Sequence, residues 1–412
     1  MEKKGLLSLL VYAHFTNDIY NFILPPLLVV MRYEFETSYF EGGILVALYL
    51  LTSGVMQTPI ARFAERRGLQ RHVMVAGFLG MALSMLLLAF SRSFPEFLAD
   101  SFILGLSLAP YHPQGIGAVS MAFDAKERGS AIGIHQLGGN VGMFTAPLIV
   151  AALFSSMKMG WRAALVAMAA PAIFAALLLS MLFDLPTRGV VENKQEKGRE
   201  RGASSPMFTP IVLLAIAYAF NAISTRAFSS FTPSYLNSVT SNVGLSEVLS
   251  SAVIASGIVA FPLGGFMSDR LGRKQVIWIA YGLAGLFFMI YRLLASVIAL
   301  PALFFAFFFG YVGSAPALAF ASELGRDGRA NSSVALVFGA GTVGNAAGPF
   351  IVGPLIDALG FLPSFEVISV FAILAAVPVL MIRVSGKTSS GTETSDQRSN
   401  SLELNWKGTA LI

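Results

Sequence analysis

Long apolar stretches alternate with short polar ones along most of the chain. A helix needs about 20 apolar residues to cross the hydrocarbon core of a bilayer. Twelve stretches are close to that length, and the pattern therefore predicts an all-α membrane protein with twelve transmembrane helices. We expect the spans at residues 6–30, 39–61, 73–91, 95–121, 129–155, 161–183, 208–236, 246–267, 275–295, 298–321, 332–357 and 363–383.

The composition of the chain excludes an ordinary soluble domain. Of its 412 residues, 55% are hydrophobic and 12% are charged, whereas soluble domains carry about 25% charged residues. Cysteine is absent, which excludes disulfides and thiolate metal sites. We expect no metal and no cofactor.

The distribution of charge indicates how the chain lies in the membrane. A net charge of +5 would suit nucleic-acid binding, but the basic residues lie in short connections between apolar stretches. Cytosolic loops of membrane proteins are enriched in Lys and Arg. Most of the 28 Lys and Arg residues would be cytosolic if the N-terminus is. We therefore expect a multi-pass protein of the plasma membrane with both termini in the cytosol, and no nucleic-acid partner.

Two patterns recur about half a chain length apart, which indicates a duplication. One is Gly139-x-x-Gly142-x-x-x-x-Pro147, repeated as Gly341-x-x-Gly344-x-x-x-x-Pro349; glycines at such spacing let helices pack closely. Parallel repeats place a substrate path at their interface. We expect a monomer with a six-helix bundle at 1–183, a cytosolic linker at 184–207, a second six-helix bundle at 208–384 and a disordered cytosolic tail at 385–412.

The second recurring pattern is a charged turn. Residues 264–274, GGFMSDRLGRK, join spans eight and nine, and a weaker copy at 61–71, ARFAERRGLQR, joins spans two and three. The pattern G-x-x-x-D-R-x-G-R-K resembles the signature of the major facilitator superfamily. The resemblance implies two pseudo-symmetric bundles, transport by alternating access and a cytosolic gate. The gate residues would be Gly265, Asp269, Arg270, Gly272, Arg273 and Lys274, with Glu65, Arg66 and Gly68 in the weaker copy.

Span one contains an ionisable residue near its centre, Asp18. A charge there costs about 2.5–3.5 kcal/mol on insertion scales. His14 lies one turn earlier on the same helix face, and Asn17 and Asn21 are close in sequence. We favour a proton-binding or substrate-binding site, because the position is costly and histidine titrates near neutral pH. The alternative is a buried aspartate satisfied by polar neighbours.

Span seven contains Arg226 near its centre, with Asn221 about one turn earlier. A guanidinium binds carboxylate or phosphate through two parallel hydrogen bonds, which suits an anionic group of a substrate. Arg226 also lies at about the position in the second bundle that Asp18 has in the first. A static ion pair between Asp18 and Arg226 that locks the bundles together is therefore the alternative interpretation.

Spans four and five add polar groups to this candidate site. The segment APYHPQG, residues 109–115, has two prolines that break the helix and free backbone carbonyls. The pattern His14-x-x-Asn17-Asp18, together with the His112-Pro113 pair, resembles the branch of the superfamily that includes fosmidomycin-resistance efflux proteins. The additional candidate site residues are Tyr111, His112, Gln114, His135, Gln136 and Asn140.

These features predict a secondary active transporter and not an enzyme. The chain has no H-E-x-x-H, G-x-S-x-G or P-loop motif. We expect it to move a small anionic or zwitterionic solute, coupled to protons with Asp18 as carrier. The expected partners are that solute, protons and the lipid bilayer. The alternatives are a drug/proton antiporter and a non-transporting membrane sensor.

Overall fold

The structure is a computed structural model that describes residues 2–153, 157, 159–183, 208–293, 299–325 and 330–383. The predicted linker and the predicted tail lie outside these residues. Within them the chain is helical. The helices are α1 (Lys3–Phe22), α2 (Leu24–Phe35), α3 (Tyr39–Arg67), α4 (Gln70–Phe90), α5 (Phe94–Leu108), α6 (Tyr111–Ala122), α7 (Ala125–Ala151), α8 (Trp161–Leu182), α9 (Phe208–Thr240), α10 (Val243–Ile254), α11 (Ser256–Leu271), α12 (Arg273–Leu293), α13 (Leu300–Leu324), α14 (Ala330–Leu359) and α15 (Phe361–Met381).

These helices lie at the twelve predicted spans, three of which are each divided into two helices. Span one breaks at Ile23 because prolines occupy the first turn of α2. Span four breaks at Ala109 and Pro110, as its prolines predict. Span eight breaks at Ala255, where the carbonyl accepts the Ile258 N–H in a tight turn; its sequence did not predict this break.

Nine segments of the described residues are long and apolar enough to cross a membrane. They include α10 and α11 taken together as one span. The predicted spans outside this set are α1–α2, α5–α6 and α7, which are interrupted or rich in polar residues. Most of the polar candidate site residues lie on these spans, so the least apolar part of the bundle is where function was expected.

Glycines of α7 and α14 let these helices lie directly against α1 and α9, respectively. A Cβ on Gly142 would meet the Phe15 carbonyl oxygen of α1, and one on Gly344 would lie 2.5 Å from the Ala219 carbonyl oxygen of α9. A larger residue at either position would force the two backbones apart. The predicted packing role of the repeated glycine pattern is therefore confirmed.

We call α1–α8 the first bundle and α9–α15 the second. The described residues up to Ile382 form one compact unit. The basic end is the end at which the Gly68 and Gly272 turns lie, and the far end is opposite. Near the far end, α3 lies against α14, where a Cβ on Gly43 would meet the Pro349 carbonyl. α7 lies against α10 through the Ser251 hydroxyl, which donates to the Phe144 carbonyl.

Candidate functional site

Asp18 lies between two imidazoles inside the first bundle. Its Oδ2 is 3.4 Å from Nε2 of His14 on α1, and its Oδ1 is 3.4 Å from Nε2 of His112 on α6. The break before α6 brings His112 to α1. Asp18 and His14 are 7% and 3% exposed, respectively. The three groups lie within 4.8 Å of one another, so the cluster could enclose one small cation, of which a proton is the smallest.

The hydrogen bond of His14 Nδ1 determines whether His14 Nε2 can donate or accept. Nδ1 of His14 is 2.9 Å from the carbonyl oxygen of His135 on α7. A carbonyl only accepts, so Nδ1 carries the hydrogen. In the neutral imidazole, Nε2 would then be an acceptor that faces a carboxylate oxygen. Two acceptors facing each other repel, so this geometry favours an added proton on His14 or on Asp18.

His135 and Tyr111 form the layer behind this pair. The Tyr111 hydroxyl donates to the Leu10 carbonyl and lies 3.0 Å from His135 Nε2. Because the tyrosine hydrogen is used, His135 Nε2 donates to the Tyr111 oxygen. The His14 and His135 rings stack with centroids 4.4 Å apart, and His135 Nδ1 is buried without a partner.

Gly139 allows α7 to approach the Asp18–His14 pair. A Cβ at this position would lie 2.5 Å from both Asp18 Oδ2 and His14 Nε2. The backbone of α7 therefore closes one side of the cluster. His112 has the most exposed side chain of the three, at 23%, so the cluster is most open on the side of His112.

Arg226 does not pair with Asp18, so the alternative interpretation of a static Asp18–Arg226 ion pair is wrong for this conformation. Its Nη2 donates to the backbone oxygen of Asn21 at 2.9 Å, to Asn21 Oδ1 at 3.2 Å and to the Tyr49 hydroxyl at 2.7 Å. The guanidinium carbon lies 4.1 Å from the centroid of the Phe22 ring. These partners belong to the first bundle and Arg226 to the second, so the arginine crosses the interface between bundles.

The remaining polar site residues have separate surroundings. Asn17 is buried, and its Nδ2 lies 3.5 Å from the Leu108 carbonyl. Gln114 is buried with its Nε2 unpartnered. Asn221 donates to Ser314 of α13 at 3.3 Å and joins helices of the second bundle. Asn140 is half-buried and Gln136 is exposed on α7.

The residues of the charged turn contact one another within the second bundle. Arg273 Nη2 lies 2.7 Å from Asp269, and its Nε lies 3.0 Å from Glu323 of α13. Lys274 donates to the Leu380 and Ile382 carbonyls at the end of α15, at 2.9 and 2.7 Å. The turn thus joins α11, α12, α13 and α15 at the basic end.

The other residues of the two turns have simpler roles. Arg270 lies over the Phe266 ring at 4.2 Å. Gly272 has φ +91°, and Gly68, which ends α3, has φ +65°; both conformations favour glycine. A Cβ on Gly265 would meet open space. Glu65 and Arg66 are exposed.

Sequence reasoning missed Tyr49 and Asp357 at the bundle interface, and it missed the buried acid Glu247 of α10. Tyr49 donates to the Asn21 carbonyl at 2.8 Å and accepts from Arg226. Asp357 of α14 accepts from the first backbone N–H groups of α3. Glu247 of α10 is completely buried with both carboxylate oxygens unpartnered. An acid inside predicted span eight was the available signal for Glu247; a tyrosine in an apolar run gives none.

Comparison with known proteins gives consistent matches over most of the chain. A family model described as Major Facilitator Superfamily matches residues 10–332 and 214–409. An uncharacterized MFS-type transporter of Bacillus subtilis (strain 168), YfnC, is 25% identical over 384 residues, covering 91% of this chain and 92% of that protein. The fosmidomycin resistance protein of Escherichia coli (strain K12) is 23% identical over 284 residues, covering 66% and 67%, respectively.

A solved structure has the same fold. A bacterial homologue of the human lysosomal transporter Spinster, in an inward-facing and unoccupied conformation, superposes with a TM-score of 0.80 at 19% identity. The match covers 92% of this chain and 96% of that one. The resemblances read from the charged turn and from the span-one histidine pattern are thus confirmed.

Proposed function

The chain belongs to the Major Facilitator Superfamily, and on that premise we propose that it is a proton-coupled secondary transporter of a small anionic or zwitterionic solute. The observation that carries the proposal is the position of Asp18 between His14 and His112. A carboxylate between two imidazoles can hold or release a proton with little movement of its neighbours. A coupling site needs a proton affinity that differs between two conformations.

Arg226 supports an anionic group on the solute. It is 5% exposed, and no carboxylate of the described residues lies within ion-pair distance of it. Its Nε is buried without a partner. A buried cation without a counter-charge is destabilising, and a carboxylate or phosphate of a solute would supply both the charge and a hydrogen-bond acceptor for Nε.

The two sites are linked through α1. Asn21, the residue that holds Arg226, lies about one turn beyond Asp18 on the same helix. A solute that draws Arg226 away from Asn21 therefore loosens the contact of α1 with the second bundle. Because α1 also carries Asp18, movement of α1 would change the distances from Asp18 to His112 and so its affinity for a proton.

We further propose that the basic end faces the cytosol, as the charge distribution predicts. The contacts between α3 and α14 and between α7 and α10 close the far end, and the ion pairs of the charged turn stay within the second bundle. With this orientation the conformation is inward-facing.

The test is transport by purified protein in liposomes that contain a pH-sensitive dye. A panel of carboxylates, phosphonates and amino acids is applied with and without an imposed pH gradient. Asp18→Asn should lose gradient-driven accumulation and keep counterflow at equal pH. Arg226→Ala should weaken solute binding by the cost of a buried charged hydrogen bond, about 2–5 kcal/mol. His72→Gln, at an exposed histidine on α4, is the control and should behave as the parent.

If Asp18→Asn still accumulates solute when only a pH gradient is imposed, a residue other than Asp18 carries the proton. Unchanged binding by Arg226→Ala would remove the argument for an anion.

Drug/proton antiport is the second candidate, because the fosmidomycin resistance protein is among the relatives. Expression in cells that lack their own efflux systems separates the two. An antiporter raises the tolerated concentration of a drug, and Asp18→Asn abolishes that increase. A protein that produces neither flux nor resistance would fit the sensor interpretation.

A further inference from the structure

Glu247 is a buried acid that the proposed cycle leaves unused. It lies on α10, one residue beyond the first turn, near the far end. The side chain is 0% exposed, and neither carboxylate oxygen has a hydrogen-bond partner. The free N–H groups of a helix start could stabilise an acid, but Asn242 already caps Leu245 at 2.9 Å and the Ser246 N–H bonds to the Asn242 carbonyl at 3.0 Å.

Among the residues that the structure describes, the helices packed against α10 provide no counter-charge to Glu247. α10 packs against α7, α9, α11 and α13. On α7 the charged residues lie in the first two turns, at the basic end, and His135 lies more than two turns from Phe144. Arg226 of α9 contacts the first bundle, and Asp269 and Arg270 of α11 and Glu323 of α13 lie at the basic end. Besides Arg226, which is just past the middle of α9, the titratable groups in the far half of these helices are the hydroxyls of Tyr235 on α9 and Tyr311 on α13.

Opening of the far end would change the surroundings of Glu247. Ser251, one turn along the same face of α10, donates to the Phe144 carbonyl of α7. α7 belongs to the first bundle and α10 to the second, so this face is part of the seal between bundles. When the far end opens, α10 separates from α7 and water reaches the carboxyl group.

We propose that Glu247 is a second proton-binding site, protonated when the far end is closed and ionised when it opens. An ionised carboxylate that is buried without partners is strongly destabilising, whereas the neutral acid is tolerated. Closure of the far end therefore requires that Glu247 first takes a proton from that side. The inference rests on the proposed function only in that the far end opens; it needs neither the solute nor Asp18 as carrier.

The sign of the pH dependence follows from this difference in proton affinity. Because the closed form binds the proton more tightly, acid favours closure and alkali favours opening. One linked proton changes the ratio of open to closed molecules by up to tenfold per pH unit. The dependence should disappear when residue 247 can no longer ionise.

A distance measurement tests this linkage without transport. Spin labels are placed on Arg92→Cys and Leu359→Cys, which are exposed positions near the far end, one on each bundle. The chain has no other cysteine to react. In the parent, the long-distance population should grow with pH. Glu247→Gln, which copies the neutral acid, should stay closed at every pH. Its ratio of open to closed molecules should no longer change with pH, whereas that of the parent changes by up to tenfold per pH unit.

Ser251→Ala is the matched control, because it removes a contact of the same face and nothing that titrates. It should raise the open population equally at every pH and keep the slope. Should Glu247→Gln not fold, Glu247→Leu is measured in the same way. A slope in the variant equal to that of the parent, or a parent that stays closed at every pH, overturns the proposal.

Infrared spectroscopy tests the protonation of Glu247 directly. At neutral pH the closed parent should show the carbonyl stretching band of a protonated carboxylic acid, and Glu247→Gln should lose it. The band should persist in Asp18→Asn. If Glu247→Gln leaves the spectrum of the acid region unchanged, Glu247 is ionised and the inference fails, while the proposed role of Asp18 is unaffected.

Discussion

At the scale of single residues, the Asp18 cluster depends on the absence of a side chain at position 139. The His14–Asp18 pair was predictable, because residues four apart lie on one helix face. The contact with His112 was not, since it depends on the direction that the chain takes after Pro110. The lack of a hydrogen-bond partner for His135 Nδ1 was not predictable either. It depends on the contact of the other ring nitrogen, Nε2, with the Tyr111 hydroxyl.

Gly139→Ala should therefore disturb both stability and the cluster. Its Cβ would lie 2.5 Å from Asp18 Oδ2 and from His14 Nε2, and overpacking of this kind costs about 1–3 kcal/mol. Gly133→Ala is the matched control on the same helix, since a Cβ there meets nothing within 4 Å. Alanine favours helix over glycine by about 1 kcal/mol, so this control should be neutral or stabilising. The midpoint of thermal unfolding in detergent measures both, and equal midpoints would contradict the packing argument.

At the scale of helices, α3 and α14 are joined at the far end by a cap that crosses the bundle interface. Asp357 Oδ1 accepts from the Tyr39 N–H at 2.9 Å, and Oδ2 accepts from the Phe40 N–H at 2.8 Å. A carboxylate at a helix start satisfies free N–H groups and the helix dipole. α3 also has its own capping box, formed by Ser38 and Glu41. The local box was readable from the sequence, whereas the cap from α14 was not, because it joins residues more than 300 positions apart in the chain.

Asp357→Ala should shift the protein toward an open far end. Loss of a helix cap costs about 0.5–2 kcal/mol, and here that cost falls on the closed conformation alone. Ser38→Ala is the control, since it removes a cap of the same helix within the first bundle and should lower stability without opening the far end. The distance between spin labels on Arg92→Cys and Leu359→Cys measures the shift. An unchanged distance distribution in Asp357→Ala would show that the cap does not hold the far end.

At the scale of the whole molecule, the sequence predicted the twelve spans because hydropathy is a local property. It could not predict which faces of the two bundles meet. Arg226 and Asp18 are both costly in a membrane, and charge alone allowed either a pair between them or separate roles. In the fold, the imidazoles of His14 and His112 reach Asp18, and Arg226 reaches Asn21 and Tyr49. Tertiary geometry therefore decided between two electrostatically reasonable arrangements.

Exchange between conformations is also a property of the whole molecule, and the charged turn is where we expect its rate to be set. Asp269 and Arg273 form an ion pair within the second bundle; in the outward-open conformation we expect the turn to hold neighbouring helix ends together. Asp269→Asn should then slow turnover and leave solute affinity nearly unchanged. Initial rates and binding in proteoliposomes measure this, with Arg62→Gln, at an exposed position on α3, as control. If Asp269→Asn turns over as fast as the parent, the charged turn does not act as a gate.

The partnership of α1 and α7 also affects how the protein enters the membrane. His135, whose carbonyl receives the His14 hydrogen, lies 121 residues after it, so the ribosome makes the polar face of α1 long before its partner. A charge at the centre of a span costs about 2.5–3.5 kcal/mol on insertion. We expect α1 to stay beside the translocon until α7 emerges. Nascent chains truncated before α7 should insert α1 poorly, longer chains should insert it well, and Asp18→Leu should remove the difference. Biogenesis of this protein would then proceed by delayed release of its first helix.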